Sequence, residues 1–254
     1  MTTPRLQAAL VSEQWLSGKH LADALPVDCI QIAESLGIKV QGAPLKDEFQ
    51  GALFITPGVT AIIYNENIKE DGRKNFTIAH EIGHYCLHSD REEVQCRLED
   101  VGAFSLTPHG KEIEKEANEF AACLLMPEKD VQQQLLNKNL DIKLVLELAL
   151  RYGTTVTATA CQMVHVSDMP LAVVMLNDDN STKWCLRNSH FRDFFIKKGT
   201  HINLPEHLPE EQSPTHQDIW LPSPVKSVWS LKASSLDMEE YKQRIYMISG
   251  SKPA

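Results

Sequence analysis

The stretch Asn75-Phe76-Thr77-Ile78-Ala79-His80-Glu81-Ile82-Gly83-His84-Tyr85-Cys86-Leu87-His88 decides how this chain is read. It contains His80-Glu81-Ile82-Gly83-His84, an H-E-x-x-H pattern. On a helix, residues four apart stand one turn apart on the same face, so two imidazoles there can converge on one ion. The glutamate between them lies one residue further round, within reach of water at the ion but not bound to it. At about 100° per residue, Ala79, Ile82, Gly83, Cys86 and Leu87 form one apolar arc. His80 and His84 border that arc, where ligands half-sunk against a core belong. The plainer alternative is a pair of surface histidines on an amphipathic helix. Gly83 argues against it: a mid-helix glycine costs about 1 kcal/mol relative to alanine, which makes sense if another backbone packs closely there.

A third donor must come from elsewhere. His88 continues the series, but it lies about 12 Å along the axis from His80, too far for an unbroken helix to wrap around one ion. Its options are to stand behind a ligand, to face substrate, or to be exposed. The next strong helical pattern, Glu112 to Met126, is stopped by Pro127. Ile113, Ala117, Phe120, Ala121, Leu124 and Leu125 make its apolar arc. Glu114 falls inside that arc, Glu112 and Glu119 point to solvent, and Glu116 lies on the opposite border. A carboxylate within an apolar arc needs a strong partner, and a divalent cation is one. Glu114 is therefore the expected third ligand, with Glu116 the runner-up. Asn118, one turn on, is placed to hydrogen-bond a ligand imidazole. The expected site is thus His80, His84 and Glu114 on one catalytic zinc ion, with Glu81 as general base. Tyr85, His88 and His109 are candidate donors to the developing oxyanion.

Outward from these helices, Pro26-Val27-Asp28 opens a shorter one, with Asp28 as N-cap and Gln31 three residues on. Gly37 ends it, and Ile38 to Val40 reads as a short strand. Gly51 to Ile55 and Thr60 to Tyr64 read as a hairpin across Thr56-Pro57-Gly58-Val59. Thr60 to Tyr64, taken as an edge strand, is positioned to hold an extended peptide by strand addition, or is simply a sheet edge. Between the two long helices lies a polar loop of about 20 residues, long enough to expect a role of its own. Cys96 within it is a candidate to swing onto the metal, although a bystander thiol is the simpler reading. Residues 129 to 166 read as three short helices, with Gly153 separating the last two. Leu144 to Val164 superficially resembles a helix-turn-helix. No Lys or Arg occurs between Arg151 and Lys183, so a packing or docking role is preferred over DNA binding. From Pro170 the character changes, Leu171 to Leu176 being a strand. The expected division is 1–128, 129–168 and 169–254.

The 254 residues suffice for a sizeable core. The net charge of −9 argues against broad nucleic-acid binding, which depends on neutralising phosphates with Lys and Arg. None of the six cysteines forms a C-x-x-C pair, so neither a zinc ribbon nor a redox motif is indicated. Met1 to Leu16 lacks the apolar core of a signal peptide, and no stretch approaches a membrane span. A cytoplasmic protein with free thiols is expected.

Two segments, Arg73 to His84 and Glu114 to Pro127, taken together and in order, resemble the ImmA/IrrE family of metallopeptidases. More weakly, the resemblance extends from about Pro26 to His165. It implies an α+β, zincin-like domain, with a small antiparallel sheet beside the H-E-x-x-H helix and a second helix bearing the glutamate ligand. Here a helical extension and a C-terminal α/β region follow. By motif, His80, His84 and Glu114 match the family's metal ligands and Glu81 its catalytic base. The implied activity is regulated, zinc-dependent endoproteolysis of a protein substrate, a transcriptional repressor, in mobile-element transfer or stress response. The competing expectation is a zinc-containing module that docks a repressor or senses stress without cutting.

Overall fold

The computed structural model describes residues 3–19, 24–46, 49–89, 108–203, 208–221 and 228–252, with the backbone alone over 108–111. The chain divides into two compact units. The first comprises Met1–Pro127 and Ala149–Thr155, the second Glu128–Leu148 and Val156–Ala254. The polar loop carrying Cys96 lies outside the described residues.

In the first unit, helix α1 (Pro4–Leu16) is followed by α2 (Cys29–Ser35). The α2 cap forms as its sequence dictates: Asp28 accepts from the Gln31 amide at 3.0 Å and from Gln31 Nε2 at 2.9 Å. Gly37, at φ +78°, turns the chain into β1 (Lys39–Ala43). Strands β2 (Gly51–Thr56) and β3 (Val59–Asn65) form the expected hairpin, with Gly58 at φ +86° in its turn.

Two expectations for this sheet need correction. Its order is β1-β3-β2, which makes β3 the central strand and not an edge. Both sides of β3 carry ladders, so Thr60 to Tyr64 cannot accept an added strand. The sheet is also mixed, because β1 pairs parallel to β3 while β2 pairs antiparallel. A hairpin signal reveals which two strands are neighbours in sequence; it says nothing of a third strand joining from the other side.

Helix α3 (Asp71–His88) starts one turn earlier than the apolar pattern indicates. Gly72 sits in that added turn because a Cβ there would lie 2.6 Å from the Thr154 carbonyl carbon. The Asn75 side chain also donates to the Gly153 carbonyl at 3.3 Å. The turn that resembles a helix-turn-helix is thus packed against the start of α3. Helix α4 (Pro108–Leu125) buries the predicted arc of Ile113, Ala117, Phe120, Ala121, Leu124 and Leu125. Glu119 does not simply face solvent: it forms an ion pair with Arg5 of α1 at 2.5 Å.

The second unit contains α5 (Glu128–Leu135) and α7 (Val156–Val166), with α6 (Ile142–Tyr152) contributing its first part. Gly153, at φ +60°, separates α6 from α7. Its sheet comprises β4 (Leu171–Asn177), β5 (Thr182–Arg187), β6 (Ser213–Thr215), β7 (Ser230–Met238) and β8 (Gln243–Ser251). The strands pair antiparallel in the order β5-β4-β8-β7-β6. The long helices of this unit precede the sheet and do not alternate with its strands. Strand β4 is buried on both faces over Leu171 to Leu176, which explains its unbroken apolar run. Phe191, Phe194, Trp220, Trp229 and Tyr246 dominate the core on one face of the sheet.

Candidate metal centre

Among the described residues, helices α3 and α4 supply the converging side chains of the site. Gly83 allows them to approach: a Cβ at this position would lie 3.2 Å from the Ala117 carbonyl oxygen and 3.1 Å from the Phe120 ring. The mid-helix glycine therefore exists for a helix contact, as its cost implies. With the helices this close, the inner edge of α3 faces the inner edge of α4.

His80 Nε2 and His84 Nε2 lie 2.9 Å apart. Glu114 places Oε2 at 3.1 Å from His80 Nε2 and Oε1 at 3.4 Å from His84 Nε2. Among the described residues, this trio is the one group of His, Cys, Asp and Glu side chains whose donor atoms lie close enough together to hold a metal ion. The spacing suits a cation: ligands about 2.0–2.1 Å from a tetrahedral ion stand about 3.3 Å from one another. The donor set also suits it, two imidazoles and a carboxylate being the ligands of a catalytic zinc site with a position left open.

The electrostatics show what the cluster does to its own members. Burial works against a charge on His80. The contact with Glu114, the fields of Glu81 and Glu114, and the Asn118 contact outweigh it, so the His80 pKa stands above the ordinary value. Burial likewise pushes the Glu114 carboxyl upward, but its hydrogen bonds to His80 and His84 win and hold it well below the usual carboxylate range. An ionised Glu114 carboxylate held against the two imidazoles is a donor set that a divalent cation can bind.

Glu81, the residue that follows His80 on α3, is buried. Desolvation raises its pKa against the opposing influence of His80 and His84, and the Leu53 backbone hydrogen-bonds its carboxylate. Leu53 belongs to β2, an edge strand of the small sheet. Gly51, also on β2, leaves room at this spot: a Cβ there would stand 2.6 Å from the Thr77 methyl and 3.6 Å from Glu81 Oε1.

The remaining predicted residues divide. Asn118 Oδ1 lies 3.0 Å from His80 Nδ1. His88 is almost fully buried, with Nδ1 3.2 Å from His84 Nδ1 and Nε2 2.9 Å from Glu116 Oε2. That placement removes it from the oxyanion donors and from any substrate-facing role. Glu116, the runner-up ligand, is turned to His88 and not to the trio. Tyr85 is half-buried. The side chain of His109 lies outside the described residues. Cys86, on α3, is not one of the converging donors, and burial pushes its pKa up to about 11. Sequence reasoning missed the pairing of Glu116 with His88. The only signal for it was that each residue borders the inner face of its own helix.

A mixed three-stranded sheet, a helix bearing His80, Glu81 and His84, and a second helix bearing Glu114 form an α+β, zincin-like domain. The chain belongs to the peptidase M78 family, the IrrE N-terminal-like domain, whose model matches residues 33–163. Comparison with curated proteins gives no match. Among solved structures, it is similar to a Mycobacterium tuberculosis transcriptional regulator at a TM-score of 0.59 and 14% identity, covering 97% of this chain and 76% of that chain. At that identity the likeness is one of fold. No helix among the described residues is long and apolar enough to cross a membrane.

Proposed function

We propose that this protein is a zinc-dependent endopeptidase of the cytoplasm that cleaves a protein substrate, a transcriptional repressor. The observation that carries the reading is the convergence of His80, His84 and Glu114 within 3.4 Å of one another, with a buried carboxylate, Glu81, on the adjoining turn. His80, His84 and Glu114 hold the ion, which when bound supplies the Lewis acidity that amide hydrolysis requires. Glu81 accepts a proton from the attacking water as its oxygen bonds to the scissile carbonyl carbon. It then returns that proton to the amide nitrogen as the C–N bond breaks. Desolvation, by raising the Glu81 pKa, makes it a stronger base for the first step. Strand β2, the edge nearest Glu81, is the place for an extended substrate segment, in place of the central β3. Membership of the IrrE N-terminal-like family supports the choice of a repressor as substrate.

Two measurements test the reading together. Elemental analysis of the wild type is expected to find one zinc per chain, lost in His80→Ala and strongly reduced in Glu114→Gln. Incubation with a repressor encoded beside the gene is expected to give cleavage that falls about 10²- to 10⁴-fold in Glu81→Gln while zinc is retained. Stoichiometric zinc with no Glu81-dependent cleavage would instead favour a module that docks its partner without cutting.

A further inference from the structure

Behind the metal donors runs a second set of contacts, from His84 Nδ1 to His88 Nδ1 at 3.2 Å and from His88 Nε2 to Glu116 Oε2 at 2.9 Å. We infer that His88 and Glu116 are positioning residues, which fix the ring and tautomer of His84 so that its Nε2 lone pair faces the ion. This rests on the metal site proposed above and adds to it the device that prepares one ligand.

The positions of the protons assign the roles. A carboxylate oxygen accepts and does not donate, so the His88 nitrogen facing Glu116 must carry hydrogen. A neutral His88 protonated at Nε2 has a bare Nδ1, which can only accept. His84 Nδ1, 3.2 Å away, must then be the donor. With its hydrogen on Nδ1, neutral His84 presents a lone pair at Nε2, the atom that stands 2.9 Å from His80 Nε2 and 3.4 Å from Glu114 Oε1. The reverse arrangement fails at both ends: it places an unprotonated His88 nitrogen against the Glu116 carboxylate and a hydrogen on the His84 atom that must bind. One carboxylate two residues away in space therefore sets the state of the ligand.

Burial makes the device effective. The His88 side chain is 0% exposed, so water does not compete for its nitrogens, while Glu116, at 36%, anchors the relay at the surface. The other ligand is served differently: Asn118 Oδ1 accepts from His80 Nδ1–H at 3.0 Å. A neutral amide thus orients one imidazole, and an imidazole backed by a carboxylate orients the other. A hydrogen-bonded carboxylate behind a histidine also raises the basicity of the ligating nitrogen.

The test is zinc affinity, measured by competition with a chromophoric chelator, together with the visible absorption spectrum of the Co²⁺-substituted protein. His88→Phe keeps a buried ring and loses both nitrogens. Glu116→Ala, at a half-exposed position, removes the acceptor with little risk to folding. Both are expected to weaken zinc binding about 10- to 100-fold, with an altered Co²⁺ band. His88→Asn, which can offer a carbonyl to His84 Nδ1–H, is expected to recover part of the loss. Unchanged zinc affinity and Co²⁺ spectrum in folded Glu116→Ala would overturn the inference alone. A His88→Phe that lowers only the melting temperature of the metal-free protein would do the same, since it would show a packing role. A wild type that binds no zinc would overturn the metal site and the relay with it.

Discussion

In the first unit, helix α3 buries Glu81, His84 and His88, whereas the second unit fills its interior with Phe191, Phe194, Trp220, Trp229 and Tyr246. Both units bury polar groups, but they satisfy them differently. In the second, buried polar side chains serve the backbone: Asn188 donates to the carbonyls of Ser167 and Met169, and Ser234 Oγ accepts from the Ile142 amide. In the first, titratable side chains satisfy one another in a chain from Asn118 through His80 and His84 to His88 and Glu116. Burying such groups is unfavourable unless they are paired, and replacing them with apolar residues is often neutral or stabilising. The first unit keeps a costly polar cluster, which the function proposed above would explain.

Three variants sharpen or break that contrast. The largest effect is expected in the second unit. Phe191 is fully buried, its ring centroid 4.8 Å from those of both Phe194 and Trp229. Phe191→Ala is expected to lower unfolding free energy by about 3–5 kcal/mol, as read by denaturant titration, with zinc affinity unchanged. A parallel loss of zinc would show that the metal centre depends on the second core and would end the separation.

Gly83→Ala should give a smaller effect but in both properties. Alanine gains about 1 kcal/mol of helix propensity. Against that, its methyl meets the Ala117 carbonyl at 3.2 Å and the Phe120 Cβ at 3.2 Å, neither of which can move without shifting α4. Overpacking of this kind costs about 1–3 kcal/mol, so the net expectation is a loss of about 1 kcal/mol in thermal melting. Because α4 carries Glu114, zinc binding should weaken in step, which calorimetric titration would record. A stabilised variant with full affinity would mean that the approach of the helices is not tight.

The smallest effect belongs to the Arg5–Glu119 ion pair. Its side chains are about one-third exposed, at 35% and 34%, and such pairs contribute about 0–1 kcal/mol. Glu119→Gln should change the melting temperature little and zinc affinity not at all, separating this acidic neighbour on α4 from Glu114 and Glu116. A marked loss of zinc in this variant would place α1 among the supports of the site.

Much of the first unit was legible before any coordinates. Helical periodicity is enough to single out Glu114 as the carboxylate on the inner face of its helix, and Gly83 as a point of close approach, because both are angular positions about one axis. The capping pair Asp28 and Gln31 and the hairpin at Gly58 are equally local. Other features were not legible in the same way. Thr60 to Tyr64 reads as an edge strand until β1 is found on its far side. Glu116 reads as a second choice for the metal until His88 is found against it.

By itself, the sequence determined the identity and angular placement of the groups: two imidazoles one turn apart, a base between them, and a carboxylate on an apolar face. Those follow from the backbone geometry of a single helix, which short-range hydrogen bonding dictates residue by residue. Only the tertiary structure decided strand order, the partner that fills the space beside Gly83, and the pairing of Glu116 with His88. Each of these joins segments far apart in the chain, and such pairings are selected by the packing of whole elements against one another, which no local periodicity encodes.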